Sequence, residues 1–204
     1  MRLSTRLSQW VAGSTLPALM RGMLWLTGCS STPVTHQYTL PQHTVSAPVQ
    51  AHQAPGVMLM PVQLAGHLQV NGIVFQTSPI EVNEARNNLW ADSLSNQLDR
   101  ALSQALVSRL RSAVLIPGDS TDVPTYYVAL QLDQFQGRYD GKAIISGQYR
   151  LMNADRRVIK QQNFSYEEPL SHDGYPALIE ALDTGIQQLA GDISQTIGSY
   201  SPRP

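Results

Sequence analysis

The chain carries one thiol, five imidazoles and a scatter of carboxylates, and their spacing decides what chemistry they could perform. Cys29 is the only cysteine, so neither an internal disulfide nor a cysteine-based zinc site can form. The histidines are His36, His43, His52, His67 and His172. No two have i, i+4 or His-x-His spacing and the first three fall in a proline-rich stretch, which argues against a metal site. Ser171-His172-Asp173 has the composition of a triad, but neighbours in sequence point in different directions and working triads draw on separate elements. We read it as a turn before a helix. Glu167 and Glu168 adjoin on an expected strand, hence lie on opposite faces. No G-x-S-x-G elbow, phosphate-cradling glycine loop or H-E-x-x-H helix occurs. The sequence gives no support for an enzyme, and we expect no catalytic residues, metal or dissociable cofactor.

Cys29 sits in Leu26-Thr27-Gly28-Cys29-Ser30-Ser31, the form of a bacterial lipoprotein processing site. Small residues let an extended backbone enter a signal peptidase, and the thiol accepts a diacylglyceryl group. Residues 1–28 carry Arg2, Arg6 and Arg21 and no acid, as an export signal would. Arg21 interrupts the apolar stretch, which an unusual signal or a mis-assigned start codon would explain. The expected product begins at Cys29 with an S-diacylglycerol and an N-acyl chain such as palmitate. Several acyl chains hold a protein firmly where a single one binds reversibly. The resemblance to bacterial lipoproteins, which stay in the inner membrane when aspartate follows the cysteine, implies from Ser30 an expected place in the outer membrane, on its periplasmic side. The net charge of -1 becomes about -4 without residues 1–28, from 11 basic against 15 acidic residues, which argues against nucleic-acid binding. After Cys29 no apolar run approaches the roughly 18 residues of a membrane span.

The elements that must position any site follow from periodicity. Residues 29–55 contain four prolines among polar residues and read as a tether with one short strand near 36–40. The globular domain is expected over 56–199, with a tail at 200–204. Gly56–Val62, Gly72–Gln76 and Ala113–Ile116 are short apolar runs of strand length. Leu94, Leu98, Leu102, Leu106 and Leu110 recur every four residues and predict an amphipathic helix of about five turns. Alternation from Tyr126 to Leu132, an Asp140-Gly141 type I′ turn, a return strand and a turn at Asn153-Ala154-Asp155 into Val158–Tyr166 predict a three-stranded antiparallel meander with one wet face. Leu178, Leu182, Ile186, Leu189, Ile193 and Ile197 predict a final helix, capped by Asp173 or Ser171 with Pro176 in its first turn. The fold class is α+β, a two-layer sandwich of a mostly antiparallel sheet with two amphipathic helices.

Two stretches suit binding. Trp90 lies just ahead of the first helix, where it would either cover the core or present an indole to a partner. Arg138, Tyr139, Asp140 and Lys142 extend the hairpin turn, either as a solvated tip or as a contact in an assembly.

The Gly28-Cys29-Ser30-Ser31 box, Tyr38-Thr39-Leu40, Val70–Ser78, Asn87–Leu94 and Phe135–Leu151 together resemble the ABC-type transport auxiliary lipoprotein family, in order along nearly the whole mature chain. The resemblance implies a nonenzymatic lipoprotein of the outer membrane that forms a homo-oligomeric ring. It also implies partners, an MCE-domain protein that spans the periplasm and an integral inner-membrane protein, with which lipids move between membranes and the envelope keeps its integrity. The competing expectation is a monomeric periplasmic lipid-binding chaperone enclosing an acyl chain between sheet and helices.

Overall fold

The computed structural model describes residues 33–44 and 54–200. The expected signal peptide, Cys29, the remainder of the tether and residues 201–204 lie outside the described residues. The long apolar alternations form the centre of the sheet: β7 (Tyr126–Arg138), β8 (Lys142–Asn153) and β9 (Val158–Pro169) make an antiparallel meander. Along the other side of β7 runs an interrupted line of shorter strands, β2 (Gly56–Leu59), β3 (Gln63–Leu64) and β4 (Gly72–Ser78), all parallel to it. A single 3-10 turn, Gly66–Leu68, fills the interruption. Strand β5 (Glu81–Trp90) returns antiparallel on β4, β6 (Val114–Ile116) adds to β2, and β1 (His36–Tyr38) adds parallel to β5. Among the described residues nine strands form one mixed sheet, whose long ladders β4–β5, β7–β8 and β8–β9 are antiparallel and whose short pairings β1–β5, β2–β6, β2–β7, β3–β7 and β4–β7 are parallel.

Both helices pack on one face. The leucine row predicted from spacing becomes α1 (Leu94–Arg109), with Leu94, Leu98, Leu102 and Leu106 buried and Ser93 capping its start by accepting the Asn96 N–H. The second row becomes α2 (Tyr175–Tyr200), whose Leu178, Leu182, Ile186, Leu189, Ile193 and Ile197 are all buried. On β8 the alternation places Ala143, Ile145, Tyr149 and Leu151 against these helices, where each is 1% exposed. Gly185 lets α2 approach closely: a Cβ there would meet Ile145 Cδ1 at 2.1 Å. The Tyr149 hydroxyl pairs with Thr196 Oγ1 at 2.7 Å, and Tyr166 donates to the Asp192 carboxylate, so the edge of the helix–sheet seam closes with satisfied polar pairs. Burial, together with the hydrogen bond to Asp192, pushes Tyr166 well above the usual phenol range and keeps it neutral.

Four sequence expectations are corrected. The strand expected near 36–40 forms as β1, but the compact unit begins at Val34, well ahead of the expected boundary at Gly56. The turn after β7 is not type I′: Gly141 has φ of +78 and is left-handed, whereas Asp140 is not. With Gly141 N–H bonded to Arg138 O and Arg138 opposite Lys142, Tyr139-Asp140-Gly141 is a three-residue loop of the type I plus bulge form. The meander's outer face is only partly wet, since Gln136, Ile144 and Met152 on it are at most 8% exposed. The first turn of α2 is set by the backbone, Leu178 N–H bonding Gly174 O after a φ of +113 at Gly174, while Ser171 Oγ pairs with the neighbouring His172 ring.

Gly147 marks the tightest backbone approach in the meander, because a Cβ there would lie 2.1 Å from the Gln131 carbonyl oxygen. Backbone cannot yield as a side-chain end can. Gly147→Ala should cost about 1–3 kcal/mol by urea unfolding, whereas Gly66→Ala should be near neutral because nothing lies within 4 Å of its Cβ position.

Candidate functional site

The N-terminal segment docks across the helix side of the sheet edge. Tyr38 lies opposite Trp90 in β5, its carbonyl accepts the Ala91 N–H at 2.9 Å, and its hydroxyl reaches Asn88 Oδ1 at 3.2 Å. Leu40 then enters the core at 3% exposure. Its backbone N–H donates to Gln97 Oε1 at 2.9 Å, and the other end of that amide donates to the Asp92 carbonyl at 2.9 Å. Gln97 is itself 3% exposed, so a buried donor and acceptor are matched by one side chain. Further along, His43 N–H donates to Gln104 Oε1, and His43 Nε2 lies 2.8 Å from Asp183 Oδ2 on α2. The N-terminal segment is therefore strapped to both helices.

The hairpin tip is a closed ionic network. Arg138 Nε and Nη2 donate to Asp140 at 2.8 and 2.7 Å, and Nη1 and Nη2 donate to Glu167 at 2.7 and 2.8 Å. Lys142 Nζ adds a third bond to Glu167 at 3.0 Å. Two cations meet two carboxylates, and the Arg138 side chain is only 18% exposed. Its hydrogen bonds to Asp140 and Glu167 hold the guanidinium firmly charged. Of the four tip residues named from sequence, Tyr139, 55% exposed, is the one with its side chain free of this network.

Trp90, the other candidate contact, is withdrawn into the core at 7% exposure with its ring 6.3 Å from that of Phe135. The core alternative holds because Trp90 ends β5, a strand that polar Glu81–Asn88 concealed in the sequence. Glu167 and Glu168 take opposite faces as expected: Glu167 joins Arg138, and Glu168 accepts from Gln188 on α2. Among the described residues no group of three or more histidine, cysteine, aspartate or glutamate side chains is placed to hold a metal.

Between helices and sheet, Leu98, Leu102, Leu130, Leu132, Phe135, Ile145, Ile186 and Leu189 leave a void of only about 10 Å³. That is below the several hundred Å³ typical of a ligand pocket. An open cleft of about 320 Å³ lies beside the start of α1, lined by residues including Leu68, Val70, Asn71 and Ser95.

A family profile described as the ABC-type transport auxiliary lipoprotein component matches residues 38–194, from the docked Tyr38 to the last turns of α2. The chain belongs to this family. It is 34% identical over 181 residues to the intermembrane transport lipoprotein PqiC of Escherichia coli strain K12 and of Shigella flexneri, covering 85% of this chain and 92% of each relative. The fold matches the crystal structure of an uncharacterized protein with a TM-score of 0.71 at 28% identity, over 81% of this chain and 99% of that one. A Xanthomonas campestris protein shares the fold with a TM-score of 0.64 at 17% identity, over 78% and 93% of the two chains. A transport auxiliary lipoprotein is not an enzyme, and this member of the family is nonenzymatic.

Arg138 and Lys142 hold Glu167 down at about 2, against an ordinary value of 4.5. Glu167 is thus charged at neutral pH whether folded or not, and the network's stabilisation is complete above the unfolded value. As pH falls from about 4.5 toward 2, the unfolded chain takes up the proton first and the contribution is lost. Carboxyl-carbon NMR titration should place Glu167 near 2 and show Arg138→Gln moving it toward the ordinary range; an unmoved Glu167 would remove Arg138 as the cause.

Proposed function

We propose that this lipoprotein is acylated at Cys29, sits on the periplasmic side of the outer membrane, and serves as a ring-forming component of an MCE-type intermembrane lipid transport system. In this reading a ring of identical subunits receives the end of a periplasm-spanning MCE-domain protein, which works with an integral inner-membrane partner, and the assembly supports envelope integrity. The observation that carries it is the identity to PqiC over 92% of that protein, whose name assigns it to intermembrane transport. The lipoprotein processing box at Leu26–Ser31 supports the covalent anchor, an S-diacylglycerol and an N-acyl chain on one residue. The packed helix–sheet seam favours a scaffold over the alternative chaperone, because a void of about 10 Å³ leaves no room for an acyl chain between the sheet and the helices.

Cys29→Ala should leave the protein unprocessed or release it into the soluble fraction on envelope fractionation; a normally processed, membrane-bound variant contradicts the anchor. The acylated protein in detergent should give a single closed homo-oligomer by native mass spectrometry and should co-purify with an MCE-domain protein. A chain that stays monomeric at high concentration, with one lipid in each monomer and no MCE partner, would support the chaperone instead.

A further inference from the structure

Strand β1 is parallel to β5, with His36 opposite Asn88, so the chain upstream of β1 leaves the body in the direction of the start of β5. That direction leads to the β4–β5 turn, Pro79-Ile80, because β5 begins at Glu81. The same end of the sheet holds the β7–β8 loop. β4 and β7 are parallel with Phe75 level with Gly137, so both strands run out together, one into Ile80 and the other into Tyr139. This end and the chain leading to it expose apolar side chains: Ile80 is 96% exposed, Val34 70%, Tyr139 55% and Val82 43%.

Two lengths decide what that surface meets. From His36 back to Cys29 there are seven residues, which in any conformation span at most roughly 25 Å. From the level of Asn88, opposite His36, out to the Ile80 turn the sheet extends by about six residues measured along β4, or about 20 Å, because β5 bulges between Glu84 and Leu89. Even at full extension the acylated residue can therefore lie only about 5 Å beyond the Ile80 turn, and in any less extended state it lies level with that turn or short of it. Exposed apolar side chains alone do not select this end, because the opposite end shows Val123 at 82%, Val158 at 50% and Tyr200 at 44%. The anchor does.

We propose that the Ile80 turn and the Tyr139 loop rest on the phospholipid headgroup layer beside the lipid anchor, as a second, noncovalent membrane contact. The inference rests on acylation of Cys29. The chemistry suits zwitterionic headgroups: Arg138 and Lys142 are consumed by Asp140 and Glu167, and exposed Glu81, Glu84 and Asp173 outnumber exposed Arg86, so this end carries no basic patch that would call for anionic lipid. An aliphatic side chain beside a tyrosine, whose ring is apolar and whose hydroxyl is wet, is the pairing that water–bilayer boundaries favour. The contact fixes the orientation of the body, with the Asn153–Val158 turn and Val123 directed away from the membrane.

The test uses the acylated full chain in vesicles of phosphatidylethanolamine with a minor share of phosphatidylglycerol. An acylated Cys29 holds its sulfur as a thioether, so Ile80→Cys, Tyr139→Cys and Val123→Cys each supply the only reactive thiol for a nitroxide label. Oxygen accessibility relative to a water-soluble nickel chelate should rise several-fold at 80 and 139 on going from detergent to vesicles and stay unchanged at 123. If the parent chain takes no label and floats with the vesicles, yet 80 and 139 remain as aqueous as 123, the inference fails while the anchor stands. If 80 and 139 are already shielded from both agents in detergent oligomers, the surface is a contact between protein subunits and the inference fails. If the parent chain itself takes the label, Cys29 carries no lipid and both readings fall.

Discussion

The docking of a short N-terminal strap by a buried glutamine fixes how the N-terminal half of this protein is joined and how near its body lies to the anchor. Leu40 brings a side chain into the core and with it a backbone N–H that has no strand partner. Leaving such a group unpaired costs about 1–3 kcal/mol, enough to expel the segment. Gln97 removes that cost at one end of its amide and satisfies the Asp92 carbonyl just ahead of α1 at the other. The strap, the end of β5 and the start of α1 are thus joined through one side chain. Because β1 is held there, only seven residues separate Cys29 from His36, so an acylated Cys29 would keep the body close to the bilayer.

The rest of the sheet supplies rigidity around that join. β7 is paired along its whole length on one side by β8 and, on the other, by β2, β3 and β4 in succession, so the elements near the strap are referenced to a single long strand. α2 is pressed on β8 with glycine at the closest approach, and tyrosine hydroxyls close the seam at its edge. With the interior full, functional surfaces must be external. The hairpin tip shows how: its charges bind each other, so they shape the loop and leave Tyr139 as the side chain presented to surroundings. This arrangement suits a component that positions other molecules.

Much of this is readable from spacing wherever one face of an element is apolar along its length. Both helices and all three strands of the meander announce themselves, and the opposite orientation of Glu167 and Glu168 follows from strand geometry alone. β5 does not, because Glu81-Val82-Asn83-Glu84-Ala85-Arg86-Asn87-Asn88 has few apolar residues to alternate; its backbone pairing with β4 holds it in the sheet. A concealed β5 leaves Trp90 open to two readings, which the strand settles in favour of the core. The strap is half legible. Tyr38 and Leu40 read as strand-like, but proline and polar composition around them conceal that a single leucine and a distant glutamine suffice to dock the segment. The ionic loop shows the same limit, since Glu167 comes from another strand and no local pattern joins it to Arg138 and Asp140.

The tether from Cys29 is short only because residues 36–43 are part of the folded body. Amide hydrogen exchange resolved to single residues measures this directly. The Leu40 amide should be protected to an extent comparable with the Trp90 and Ala91 amides, and Gln97→Ala should selectively release it. Exchange of Leu40 at the rate of an unstructured peptide, with β5 still protected, would contradict a docked strap.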